Sequence, residues 1–228
     1  LAGANCIIMG AGIPRAIPGI MDQLSRGEAV ELAINLAEAD AGQKISTKFD
    51  PRQIFGDDLP EIARPLFLAI VSSAPLASML ARKASGHVDG FIIESPVAGG
   101  HNAPPRGALE LNANGEPIYG ERDLVDMEAM RKIGRPFYLA GGVASPQGLQ
   151  DSLDVGAVGI QVGTVFAYCE ESGLGAPSKA RVLARFFDEN AEAPVIRTDP
   201  RASPTGFPFK VLPLTNTMSH PESEAARP

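Results

Sequence analysis

Pro136-Phe-Tyr-Leu-Ala-Gly-Gly-Val-Ala-Ser-Pro-Gln-Gly-Leu-Gln-Asp-Ser-Leu-Asp-Val-Gly-Ala-Val-Gly-Ile-Gln-Val-Gly-Thr164 reads as one strand–helix–strand unit. Pro136–Ala140 is a short apolar run ended by Gly141 and Gly142. Ser145 followed by Pro146 is a helix cap with its first-turn proline, and the helix it opens extends to Val155. Ala157–Val162 is a second apolar run, ended by Gly163 and Thr164. Near-continuous apolar runs of this length are the pattern of parallel strands buried on both faces.

Upstream the unit recurs. Asn5–Met9 reads as a buried strand ending at Gly10-Ala-Gly12, and Leu66–Val71 ends at Ser72-Ser73. Val88–Ile93 ends in Glu94-Ser-Pro and then Gly99-Gly100. Helix-length segments separate the strands. Pro75–Ser85 places Leu76, Met79 and Leu80 on one face. Asp123–Ile133 opens on an Asp cap, with Leu124, Met127 and Met130 three apart. Ser178–Phe187 carries Val182, Leu183 and Phe186. Alternating strands and helices of this kind make an α/β fold with a parallel sheet. Two stretches break the rhythm. Residues 29–49 alternate polar and apolar on either side of Ala39-Asp-Ala-Gly42 and read as a β-hairpin insertion. Pro96–Arg122 carries few signals, and loops that long commonly cover active sites.

Five β/α units leave two architectures open. A doubly wound sheet needs five or six strands, and a TIM barrel needs eight in about 250 residues. The chain starts at Leu1, with a strand almost at once. That favours a (β/α)8 TIM barrel whose first strands are missing from this sequence. Residues 1–190 are then the C-terminal part of the barrel and 191–228 a C-terminal extension.

Composition narrows the function. Gly and Pro make up about a fifth of the 228 residues, short of the roughly 25–30% typical of low-complexity chains. A net charge of −7 disfavours a phosphate-backbone partner. No apolar run reaches the roughly 18 residues of a membrane span. Two cysteines, Cys6 and Cys169, supply neither a disulfide framework nor zinc-ligand spacing, and the plain reading of location is cytoplasmic.

In either architecture ligands bind beyond the C-terminal ends of the strands. Those ends carry Gly10–Gly12, Ser72-Ser73, Gly99-Gly100-His101, Gly141-Gly142 and Gly163-Thr164. Gly-bearing loops that lead into helices expose backbone N–H groups to an anion. Each pair taken singly is also what a tight turn requires. His101 follows two glycines at a strand end, and an imidazole there suits proton transfer or hydrogen bonding to a ligand. A loop histidine is also commonly solvated or structural, and His87 and His220 read that way. Asp89 and Glu94 are candidate acids, although a Glu at a strand end also serves to hold a loop. Gly-x-Ser-x-Gly, P-loop and His-Glu-x-x-His motifs are absent, and Gly10-Ala-Gly-Ile-Pro-Arg15 lacks the third glycine of a dinucleotide fingerprint.

Asp89-Gly-Phe-Ile-Ile-Glu-Ser-Pro-Val-Ala-Gly-Gly-His101 resembles the Ala-Gly-Gly-His signature of the nitronate monooxygenase (2-nitropropane dioxygenase-like) family. Phe137–Val143 and Gly156–Phe166 resemble its last two barrel strands with their phosphate loops. Met9–Pro14 resembles its fourth-strand end. The motifs occur in order over most of residues 3–173. The resemblance implies a TIM barrel holding FMN, with three strands preceding this sequence. It assigns FMN contacts to Gly99, Gly100, His101, Gly141, Gly142, Gly163 and Thr164, and to Ser72 and Ser73 at the fifth-strand end. The hairpin and the Asn102–Arg106 loop depart from the pattern. The implied activity is oxidation of alkyl nitronates by oxygen, with His101 hydrogen-bonding the nitro group or taking the α-proton of a neutral nitroalkane. The partners are then a small-molecule substrate and oxygen, with no nucleic acid and no membrane, and a homo-oligomer is left open. FMN-dependent enoyl-thioester reductases that use NAD(P)H carry Gly-Gly-His too and are one alternative. A non-catalytic barrel that binds a phosphate compound is the other.

Overall fold

The Gly-bounded apolar runs form the strands of one sheet. In the computed structural model, residues 3–10, 12–34, 45–188, 196–200, 202–203, 207–212 and 214 are described. Two compact units divide the chain, one of residues 1–92 with 126–137 and one of 93–125 with 138–228. The first contains β1 (Cys6–Met9), α1 (Ile17–Ser25), β2 (Val30–Ile34), β3 (Ile45–Phe49), α2 (Arg52–Phe55), β4 (Leu66–Val71), α3 (Ala74–Lys83) and α4 (Met127–Ile133). The second contains α5 (Pro146–Asp154), β7 (Gly159–Gln161), α6 (Thr164–Ala167), α7 (Ala176–Phe187), β8 (Arg197–Asp199) and β9 (Phe209–Val211). The unit boundary falls within β5 (Gly90–Glu94) and β6 (Phe137–Ala140).

Strand order settles what composition leaves open. The main sheet runs β1-β4-β5-β6-β7, with β1 parallel to β4 and β6 parallel to β7. The strands follow one another in chain order with no reversal. A doubly wound sheet reverses at its switch point, whereas a (β/α) barrel steps round in one direction. The fold is therefore the consecutive strand–helix progression of a TIM barrel. The insertion at 29–49 is the expected antiparallel hairpin, with Val30 opposite Phe49 and Ile34 opposite Ile45. Its turn, with Ala39-Asp-Ala-Gly42, lies outside the described residues.

In the first unit Phe67, Val71, Leu80, Phe91 and Met130 are fully or almost fully buried. Arg64 ties down the N-terminal ends of β4 and β5. Its guanidinium pairs with Asp22 and, at 2.7 Å, with Asp89, and it donates to the His87 carbonyl. Asp89 also accepts the Phe67 N–H at 2.8 Å. Burial raises the Asp89 pKa, but Arg64 and the Phe67 N–H outweigh it and hold the carboxyl below its ordinary range.

Three sequence expectations need correction. The run Asn5–Met9 is a strand, but an exposed one, with Ile7 and Ile8 36% and 48% accessible. It is the terminal strand of the sheet among the described residues, with only β4 beside it. The helix expected from Asp123 starts later, capped by Asp126, whose carboxylate accepts the Ala129 N–H. Asp123 instead accepts the N–H groups of Arg106 and Gly120, and Leu124 is left 71% exposed. The helix expected over Ser178–Phe187 begins earlier, at Ala176, and on it Val182 is buried while Phe186 is half exposed.

Candidate functional site

Within the second unit, the segments that follow β5, β6 and β7 surround a cavity of about 550 Å³. Gly99, Gly100, Gly141, Gly142, Gly163 and Thr164 all line it. Backbone geometry builds it. The Ser95 N–H donates to the Ala140 carbonyl at 3.0 Å, and the Ser95 hydroxyl donates to the Gly141 carbonyl at 3.3 Å. Those bonds draw the 95–98 turn against the loop after β6. Ser145 then caps α5 by accepting the Gly148 N–H.

The glycines are there for two different reasons. Gly141 has φ +92°, and a Cβ there would stand 2.5 Å from the Ser95 hydroxyl and 2.7 Å from the Ala98 nitrogen. The chain itself forbids a side chain at that point. Gly163 has φ −113°, which any residue adopts, and a Cβ there would meet nothing within 4 Å. No neighbour among the described residues demands a glycine there. Because α6 has only four residues, its dipole is small, and backbone approach rather than a helix end is what this loop offers.

Two polar side chains stand out in the cavity. Gln161 interrupts the apolar run of β7, and its Oε1 is buried without a partner among the described residues. Glu94 ends β5, and burial alone pushes its pKa up to about 7. It is the only ionisable side chain among the lining residues. Nearby Tyr119 has its own pKa raised by burial, then by Asp123 and by Glu94, and its hydroxyl donates to the Ala103 carbonyl.

The structure brings together most, but not all, of the residues expected at the site. His101 adjoins Gly100 but does not line the cavity. Its Nε2 lies 2.7 Å from the Ser203 hydroxyl, and its ring stands edge-on to Phe209 with centroids 4.6 Å apart. The β9 segment holds this loop in place, since Lys210 N–H donates to the Gly100 carbonyl and Asn102 N–H to the Pro208 carbonyl. Ser72 and Ser73 belong to the first unit. Ser73 caps α3, accepting the Leu76 N–H at 3.3 Å. His87 sits 2.8 Å from Arg135 and 3.5 Å from Asp89, a structural cluster. His220 lies outside the described residues.

Sequence reasoning named Glu94 as a candidate acid beside a loop-holding alternative, and did not single out Gln161. The signal for both was a polar side chain at or near the C-terminal end of an otherwise apolar strand. The donor set fits the phosphorylated flavin implied by the resemblance. Gly163 leaves open space against its backbone, Thr164 has a hydroxyl beside it, and Gln161 presents an orphaned acceptor. The cavity size lies within the range of about 300–1,000 Å³ usual for cofactor sites.

The chain is 32% identical over 96 residues to a probable nitronate monooxygenase of Bacillus subtilis, a match covering 42% of this chain and 26% of the relative. The chain thus spans about a quarter of that relative's length. Among solved structures it is similar to nitroalkane oxidase from Streptomyces ansochromogenes, with TM-score 0.45 and 22% identity over 65% of this chain and 38% of the other. It is also similar to a FabK variant from Thermotoga maritima, with TM-score 0.42 and 24% identity over 65% and 40%. The family model described as nitronate monooxygenase matches residues 27–196, about three-quarters of the chain, and the chain belongs to that family.

Proposed function

We propose that this chain forms the phosphate-binding side of an FMN-dependent enzyme that oxidises alkyl nitronates with oxygen. The observation that carries the reading is the cavity bounded by the Gly99, Gly141 and Gly163 loops, with open space at Gly163 that no described residue fills. The cofactor phosphate lies between Gly141-Gly142 and Gly163-Thr164, held by backbone N–H groups and the Thr164 hydroxyl. Bound flavin supplies the electron transfer from substrate to oxygen that no side chain here could perform. The protein's share is to bind, orient and desolvate. Gln161 Oε1 accepts a hydrogen bond from the bound ligand. His101, fixed by Ser203 and Phe209, orients the substrate's nitro group from beside Gly100.

The test is oxygen uptake and nitrite release with a preformed alkyl nitronate, using full-length protein purified with its flavin. His101→Asn should retain flavin and lose turnover by about 10²–10⁴-fold if it acts in proton transfer, and by less if it only positions the substrate. Consumption of NADH with an enoyl thioester, without nitronate turnover, would replace this reading by a reductase. A colourless protein that refuses FMN would leave only a binding role.

A further inference from the structure

We propose that Lys179 is a positioning residue of the cofactor cavity: its ammonium fills a socket of three backbone carbonyls, as a bound monovalent cation would, and so holds the Gly163 loop in place. The inference rests on the proposed placement of FMN and goes beyond it by naming what keeps that wall of the cavity in shape. Lys179 lies in α7, a helix that Val182 anchors by its burial. Its Nζ donates to the Cys169 carbonyl at 2.9 Å, to the Glu170 carbonyl at 2.9 Å and to the Ser172 carbonyl at 3.4 Å. An ammonium group has three N–H donors and no acceptor, so these carbonyls match its whole capacity. Among the described residues no carboxylate pairs with Lys179, and its charge is spent on backbone oxygens alone.

The socket connects to the cavity bond by bond. Ser172, which supplies one of its carbonyls, donates its hydroxyl to the Ala167 carbonyl at 2.6 Å. The Ala167 N–H in turn donates to the Gly163 carbonyl at 3.0 Å. Gly163, Thr164 and Ala167 all line the cavity. Between the socket and the cavity lies α6, whose four residues are too few to make a helix stable by itself. Three carbonyl oxygens converging on one point repel one another unless a positive charge stands between them. Backbone carbonyls are the ligands that hold monovalent cations in selective sites. Here α7 delivers the charge on a covalent arm, so no ion has to be recruited. Cutting the arm back to a methyl group leaves the three oxygens facing a space suited to a free ammonium ion, which brings the same N–H donors.

The experiment measures FMN affinity of the full-length protein by flavin fluorescence, in ammonium chloride and in tetramethylammonium chloride at equal ionic strength. Tetramethylammonium carries the charge but has no N–H to donate. Wild type should bind FMN equally well in both salts. Lys179→Ala should weaken FMN binding by about tenfold or more in tetramethylammonium, since hydrogen bonds from a charged donor are among the strong ones, and should recover most of the loss in ammonium. Hydrogen exchange of residues 164–172 gives a readout apart from the flavin: it should quicken in flavin-free Lys179→Ala and slow again with ammonium. Lys179→Gln fills the space with a neutral amide, so it should lose affinity and gain nothing from ammonium. Wild-type affinity in both variants overturns the proposal. So does a loss in Lys179→Ala that ammonium does not repair, or faster exchange spread over the whole chain, which would make Lys179 an ordinary packing residue. If Lys179→Ala does not fold, Lys179→Gln decides: affinity equal to wild type overturns the proposal, and a loss with faster exchange confined to 164–172 supports it. A wild type that binds no FMN overturns the functional reading itself, a failure distinct from bound FMN that ignores Lys179.

Discussion

Asp89 and Glu94 bracket β5, five residues apart in sequence, and the two ends of the strand treat a carboxylate in opposite ways. At the entry, Asp89 has Arg64 at 2.7 Å and the Phe67 N–H at 2.8 Å, and its pKa is pulled down. At the exit, burial acts on Glu94 without a compensating cation, and its pKa rises to about 7. A paired carboxylate is spent on holding the chain. An unpaired one, in a cavity, is available to a ligand. The same division separates Gly141, required by its own neighbours, from Gly163, required by none of them.

The contrast can be broken at its strongest point first. Gly141→Val should cost about 2–5 kcal/mol, from a left-handed backbone and collision with Ser95 and Ala98. Gly163→Val should leave stability within about 0.5 kcal/mol. Denaturant midpoints of the two variants check this, and equal losses would erase the distinction between the loops. Next in size is Asp89→Asn, which should cost about 1–3 kcal/mol by leaving Arg64 and the Phe67 N–H poorly matched at a largely buried position. Because the native pKa of Asp89 is depressed, its contribution is present above the ordinary carboxylate range. It is lost as pH falls through the native value, so the gap to the variant should close in acid.

Glu94 should show the reverse sign. Its raised pKa means that the folded protein holds a proton the unfolded chain releases, so its share of stability is present below about pH 4.3 and lost as pH rises toward 7. Melting curves of Glu94→Gln should match wild type in acid and lie above it once pH exceeds about 7. A variant less stable than wild type at every pH would mean that Glu94 has a structural partner after all. The smallest effect is expected at Ser203→Ala, about 0.5–1.5 kcal/mol, read as earlier local opening of the 100–102 backbone in hydrogen exchange.

Much of this was legible in the sequence, for identifiable reasons. The apolar runs from Leu66, Val88, Pro136 and Ala157 announced strands because burial on two faces leaves little room for polar residues. Ser145 followed by Pro146 announced a helix start because a hydroxyl satisfies an orphan N–H there, and Ser145 does cap that helix. Burial of β1 was not legible, since an apolar run does not say how many neighbours the strand has. The cap at Asp126 was missed because Asp123, three residues earlier, satisfies the same local rule and was taken up by Arg106 and Gly120 instead. At the site, the glycine loops could be read from spacing. Glu94 and Gln161 could not be weighed until the lining of one cavity was known, because their importance lies in partners they lack.

The most direct test is the visible absorption spectrum of the purified full-length protein, wild type beside Gly163→Val. Wild type should carry a flavin spectrum that releases FMN on denaturation. Gly163→Val should melt like wild type yet come away pale, because a Cβ there meets no atom within 4 Å while the side chain takes the space proposed for the phosphate. A colourless wild type, or a Gly163→Val protein with full flavin content, would contradict the placement of the cofactor in this cavity.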